Sequence, residues 1–223
     1  LDRLRAALEG VVQFGYGAQT EDLRAVEDMV ISLPPGDPQR AAVETMVTTA
    51  LGEAKTWEGK AFLCTQLRVV GTPACVPSLE ALLLDPELSS MAVYALGFMD
   101  YPEAGLALHR ALSKAQGKEK AGLLDALADR GHQPVASDCI ALLGSADPLV
   151  AGSAARALGR LGGAAAAAAL QDVRGAAAAA FAEQIDNALL GCAEQMVVAG
   201  DTARADALYE SFYVSTRPFQ FRV

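Results

Sequence analysis

The sequence predicts an all-α protein whose helical hairpins stack into an α-solenoid, and three observations carry that prediction. The dipeptide Ala-Leu recurs at Ala95-Leu96, Ala126-Leu127, Ala157-Leu158 and Ala188-Leu189, each copy 31 residues after the last. A fixed period between about 20 and 50 residues is the signature of stacked supersecondary units. Hydrophobic residues make up 52% of the chain and charged ones 20%, which excludes a disordered chain. Aromatics are only 6%, alanine is abundant and long Val/Ile/Thr alternations are missing. Small side chains at helical spacing therefore favour packed helices over sheets.

Helices are predicted over about 2–13, 20–32, 38–53, 57–70, 73–83, 86–98, 102–114, 118–130, 134–143, 148–161, 164–174, 176–198 and 202–213. The punctuation between them has a chemical logic. Pro34-Pro35-Gly36-Asp37-Pro38 turns the chain and starts the third helix, with Asp37 as N-cap and Pro38 as first helical residue. Asp85-Pro86 opens the sixth helix and Asp147-Pro148 the tenth in the same way. Gly71, Gly131 and Gly162-Gly163 supply C-terminal stops, since glycine tolerates the backbone that ends a helix.

Two units overlay in register, 62 positions apart: Asp-Pro-Glu-Leu-Ser-Ser-Met-Ala-Val-Tyr-Ala-Leu-Gly at 85–97 and Asp-Pro-Leu-Val-Ala-Gly-Ser-Ala-Ala-Arg-Ala-Leu-Gly at 147–159. Each is preceded by a further helix, starting near Pro73 in one and near Pro134 in the other. This pattern resembles the HEAT repeat, in particular its short, Ala-rich bacterial form. The match is good over 72–99 and 133–162, acceptable over 102–131 and loose over 57–71 and 164–192. The 102–131 unit lacks the Asp-Pro start and has Ala128 where glycine is usual. The stretch from Ala193 to Tyr209 looks more like a tetratricopeptide-type hairpin, although a generic hairpin explains it almost as well. The resemblance implies a right-handed α-solenoid (an armadillo-like α-α superhelix) of roughly six HEAT-like helical hairpins. Residues 1–56 are expected to form a divergent N-terminal helical cap, 57–175 the HEAT-like repeats, and 176–223 a terminal hairpin region. The chain begins at Leu1 rather than Met and ends in Arg217–Val223, which reads as the opening turn of another helix. The expectation is a piece of a longer protein.

With about 100° between residues, positions 3, 7, 10, 11 and 14 after each Asp share one face. They hold Leu88, Ala92, Ala95, Leu96 and Met99 in one unit and Val150, Ala154, Ala157, Leu158 and Leu161 in the other. That is a core stripe, and its alanines let helices approach closely. The opposite face carries Tyr94, Asp125 and Arg156 at equivalent positions of three successive units, and Phe98, Asp129 and Arg160 one turn further on. The resemblance places second helices on the concave surface, so these six residues are the binding candidates. Aromatics and arginine are the types that supply binding hot spots. The competing reading is an ordinary solvated face with modest exposed ion pairs.

A formal charge of −9 and a pI near 4.7 argue against nucleic acid or an anionic membrane as main partner, since both need a positive stripe. No apolar run reaches the ~20 residues of a membrane span. Cys64, Cys75, Cys139 and Cys192 form no C-x-x-C pair and read as buried small hydrophobes. His109 has no partner at metal-ligand spacing; Asp129 stands three before His132, but Gly131 is expected to end the helix that would put them on one face; and Gly159-Arg160-Leu161-Gly162-Gly163 follows a helix, unlike a phosphate loop. Asp125 and Asp129 stand i,i+4, with Lys118, Lys120 and Arg130 nearby, and read as a solvated face rather than a cation site. No catalytic residue, metal or cofactor is therefore expected. The expected function is a non-catalytic protein- or peptide-binding scaffold from a bacterium. Two alternatives stay open: a structural spacer in a larger bacterial protein, and a HEAT-like enzyme related to bilin lyases or DNA glycosylases. The sequence does not fix the partner, the oligomeric state or the compartment. A soluble protein, cytoplasmic or exported with its signal removed, fits equally.

Overall fold

The structure, a computed structural model, describes residues 1–212; the turn expected at 217–223 lies outside them. The described residues are all-helical, with no strand. Thirteen α-helices follow in order: α1 Asp2–Val12, α2 Glu21–Ser32, α3 Arg40–Glu53, α4 Trp57–Val70, α5 Val76–Glu80, α6 Ser89–Phe98, α7 Pro102–Leu112, α8 Gly117–Asp129, α9 Ala136–Leu142, α10 Pro148–Leu161, α11 Ala164–Arg174, α12 Ala179–Val198 and α13 Thr202–Glu210. Short 3-10 turns, Pro73–Cys75 and Gln133–Val135, lead into α5 and α9.

Local chemistry explains several of these boundaries. Asp147 caps α10 by accepting from the Leu149 amide at 2.9 Å, and Pro148 presets the first helical φ. Thr56 caps α4 by accepting from the Gly59 amide at 3.1 Å. After α8, Gly131 takes a φ of +64°. Its amide donates to Ala128 and that of His132 to Leu127, which satisfies two terminal carbonyls of the helix.

Two starts and two whole helices differ from the sequence expectation. Asp37 does not cap a helix: its carboxylate accepts from the Gln39 amide at 2.8 Å, closing a tight turn, and α3 begins at Arg40. Asp85 likewise accepts from the Glu87 and Leu88 amides, and regular helix begins only at Ser89. An Asp side chain offers these amides an alternative to helical geometry, which is why Asp-Pro marks a turn as readily as a helix start. The helices expected over 73–83 and 134–143 are broken into a 3-10 turn and a short α-helix. Pro77 lacks the amide hydrogen that a continuous α-helix over 73–83 would donate to the Pro73 carbonyl.

The chain forms two compact units, Leu1–Ala115 and the residues from Gln116 on. In the first unit, consecutive helices pair, and alternate helices also touch: α1, α3, α5 and α7 in one row, α2, α4 and α6 in another. In the second unit α8, α10 and α12 form one row, backed by α9 and α11, while α13 packs on α12. All ten residues of the expected core stripe are buried: Leu88, Ala92, Ala95, Leu96 and Met99 are at most 3% exposed, and Val150, Ala154, Ala157, Leu158 and Leu161 at most 7%.

Two polar contacts hold elements of the first unit together. Buried Glu44 on α3 accepts from the Thr72 amide at 2.7 Å and from its hydroxyl at 2.9 Å, fixing the entry to the Pro73 turn. Arg110 on α7 grips Glu80 on α5 through two bonds of 2.7 and 2.8 Å. This grip holds the Glu80 carboxyl below its usual pKa, so the pair's contribution is complete above the unfolded carboxyl value and is lost as pH falls through the lowered folded one. Arg110→Ala should cost about 0.2–1 kcal/mol at neutral pH, the range for such exposed pairs. The difference from wild type should vanish in acid, as urea melts at several pH values would record.

The four cysteines are buried and unpaired. Burial pushes each thiol to about 12, and Glu44 beside Cys75 and Asp138 beside Cys139 add to the rise. Since the thiolate is the nucleophile, iodoacetamide at pH 8 should label none of them in the folded chain and all four in urea. Mass spectrometry after short exposure checks this, and rapid native labelling would contradict it.

Candidate functional site

The free face of the second unit is built on α8, α10 and α12. Because the core stripe of α10 is buried, Arg156 and Arg160 project from its other side, each with 43% of its side chain exposed. Asp125 on α8 meets both. Its Oδ2 lies 3.1 Å from Nη2 of Arg156, and its Oδ1 lies 3.2 Å from Nη1 of Arg160. Asp129 lies 3.2 Å from the same nitrogen of Arg160. Buried Ser153 completes the cluster, donating to Asp125 at 3.3 Å and accepting from Arg156 at 2.7 Å. The four charged candidates are thus brought together, and the two 31-residue offsets, Asp125 to Arg156 and Asp129 to Arg160, are direct ion pairs. The cations that neutralise Asp125 come from the following unit, not from Lys118 or Lys120 on its own helix. Spacing along one helix could not reveal that.

Next to this network runs a groove of about 300 Å³ between α10 and α12. Its floor is backbone. A Cβ built on Gly159 would meet the Cα and carbonyl of Ala188 at 2.9 Å, and one on Gly191 would meet the Gly159 carbonyl at 2.9 Å. Arg156 and Arg160 form one wall, and exposed Gln184, Asn187, Glu194 and Gln195 form the other. Three of these four are side-chain amides, each able to donate and accept. None of the α12 residues was a sequence candidate, because the repeat match is loose over 164–192.

Tyr94 and Phe98 belong to the first unit and form a separate cluster on α6. They are 40% and 63% exposed, and their rings meet edge-on, 5.5 Å apart. The structure adds Arg68 from α4, whose guanidinium carbon lies 4.7 Å from the Tyr94 ring centre and 4.1 Å from that of Phe98. Arg68 escaped the sequence reading because 57–71 matches the repeat loosely and was not placed on the same wheel. Trp57, at the start of α4, donates its indole N–H to the Glu87 carbonyl at 3.0 Å.

Among the described residues no group of three His, Cys, Asp or Glu could hold a metal ion, and no helix is long and apolar enough to cross a membrane. Scanned against protein-family models and searched against curated proteins, the chain matches none.

Proposed function

We propose that this chain is a non-catalytic scaffold that binds a protein or peptide partner along its even-numbered helices, within a right-handed, HEAT-like α-solenoid. The observation that carries the reading is the groove between α10 and α12. It combines a floor of close-packed backbone at Gly159 and Gly191, two arginines oriented by Asp125, and a wall of exposed amides beside Glu194. Arginines already neutralised by neighbouring carboxylates favour hydrogen-bonded recognition of a peptide over capture of a polyanion. The exposed aromatics of α6 supply apolar anchors of the kind that dominate interface energetics. The HEAT resemblance, which puts second helices on the concave surface, supports a binding role for α6 and for α10.

Random dodecapeptides displayed on phage and selected on the wild-type chain test this. Selected peptides should bind the Tyr94→Ala/Arg156→Ala variant at least about tenfold more weakly, a loss of about 1.4 kcal/mol. An empty selection, or unchanged affinity in a variant that melts normally, would contradict the reading and favour a structural spacer.

A further inference from the structure

Six arginines of this protein have an acceptor for their side-chain N–H groups. Arg110, Arg156, Arg160, Arg174 and Arg204 each lie within 3.2 Å of a carboxylate oxygen. Arg40 donates to the Leu33 and Val69 carbonyls. Arg68 differs. Its Nε is buried with no hydrogen-bond partner, and no carboxylate among the described residues pairs with it. What holds it is the pair of aromatic faces of Tyr94 and Phe98.

We propose that Arg68 is the receptor for a carboxylate of the bound partner, an acidic side chain flanked by an apolar one. This rests on the peptide-binding reading above and assigns the partner's chemistry at the α4–α6 face. The two rings pack against the guanidinium carbon from different sides, and with Nε buried the Nη1 and Nη2 end is left for an incoming planar acceptor. Arginine and carboxylate match in that geometry as a two-pronged, charge-assisted pair. Phe98 exposes 63% of its surface beside the cation and accepts the neighbouring apolar side chain. The charge balance narrows the partner further. Residues 1–115 carry nine Lys and Arg against fifteen Asp and Glu, so an acidic run would be repelled. One carboxylate in an otherwise neutral or basic segment fits.

The test uses the same displayed dodecapeptides, selected on the wild-type chain and counter-selected on Phe98→Ala so that survivors need this face. Survivors should share one Asp or Glu next to an apolar residue. Exchanging that Glu for Gln in a synthetic peptide should weaken binding about tenfold on wild type and leave it unchanged on Arg68→Gln. Arg68→Lys, which keeps the charge but loses the fork, should also bind the Glu peptide several-fold more weakly. The peptide exchange needs no protein variant and so reports even if an Arg68 substitution fails to fold. Survivors without an acidic residue, no survivors after counter-selection, or a Glu preference that persists in Arg68→Gln would each overturn the proposal. The binding reading itself falls on different results: an empty first selection, before counter-selection, or unchanged affinity in Tyr94→Ala/Arg156→Ala.

Discussion

Arg174→Met is expected to destabilise the second unit by about 3 kcal/mol, the lower end of the cost of breaking a buried ion pair. Asp186 on α12 is 1% exposed, and Arg174, the last residue of α11, holds its two carboxylate oxygens at 2.8 and 2.9 Å. Removing the guanidinium takes the opposite charge away from a carboxylate that water cannot reach. The arginine keeps 29% of its side chain exposed and can turn to solvent, so Asp186→Asn should cost less than Arg174→Met. Replacing both residues, as Arg174→Met/Asp186→Leu, should recover much of the loss because nothing charged is left buried. Urea melts of the three variants check this. A double variant as unstable as Arg174→Met would show that the charge is not the cause.

The second large effect is expected where α10 and α12 touch. A glycine inside a helix ordinarily costs stability, and replacing it with alanine ordinarily gains up to about 1 kcal/mol. Gly122 on α8 has open space around the position of a Cβ, so Gly122→Ala should behave in that way. Gly159→Ala and Gly191→Ala should instead lose about 1–3 kcal/mol, since each new carbon would meet backbone of the opposite helix at 2.9 Å. Backbone cannot swing aside as a flexible side chain can. Gly159→Val should be worse and should also widen the groove that these glycines floor. Thermal melts give the sign directly, and a stabilising Gly159→Ala would refute the close approach.

These examples separate what the residues disclose from what only the fold does. The thirteen helices and the buried stripe were legible because hydrophobic periodicity and Pro/Gly punctuation are local, and Ala95 and Ala157 mark one face wherever their helix lies. The first turns of α3 and α6 were not, because Asp-Pro is compatible with both a cap and a turn. The Asp125–Arg156 pair was half legible: the 31-residue repeat placed both residues at equivalent positions, but not their contact. Asp186 with Arg174, and Arg68 with Tyr94 and Phe98, join neighbouring helices from positions where the repeat is loose, so no spacing rule connects them. Gly159 could be read only as a repeat mark. Its reason is the backbone of α12.

The account stands or falls on which face of the helices receives a partner. Backbone amide chemical shifts of the labelled chain, titrated with a peptide selected on it, test this most directly. The expected perturbations fall around Phe98 on α4 and α6 of the first unit, or around Arg156 and Asn187 on α10 and α12 of the second. The exposed apolar residues of the odd-numbered helices, Leu106 on α7 and Ile140 on α9, should stay unmoved. Perturbations centred on α7 and α9, with Phe98, Arg156 and Asn187 unchanged, would contradict it.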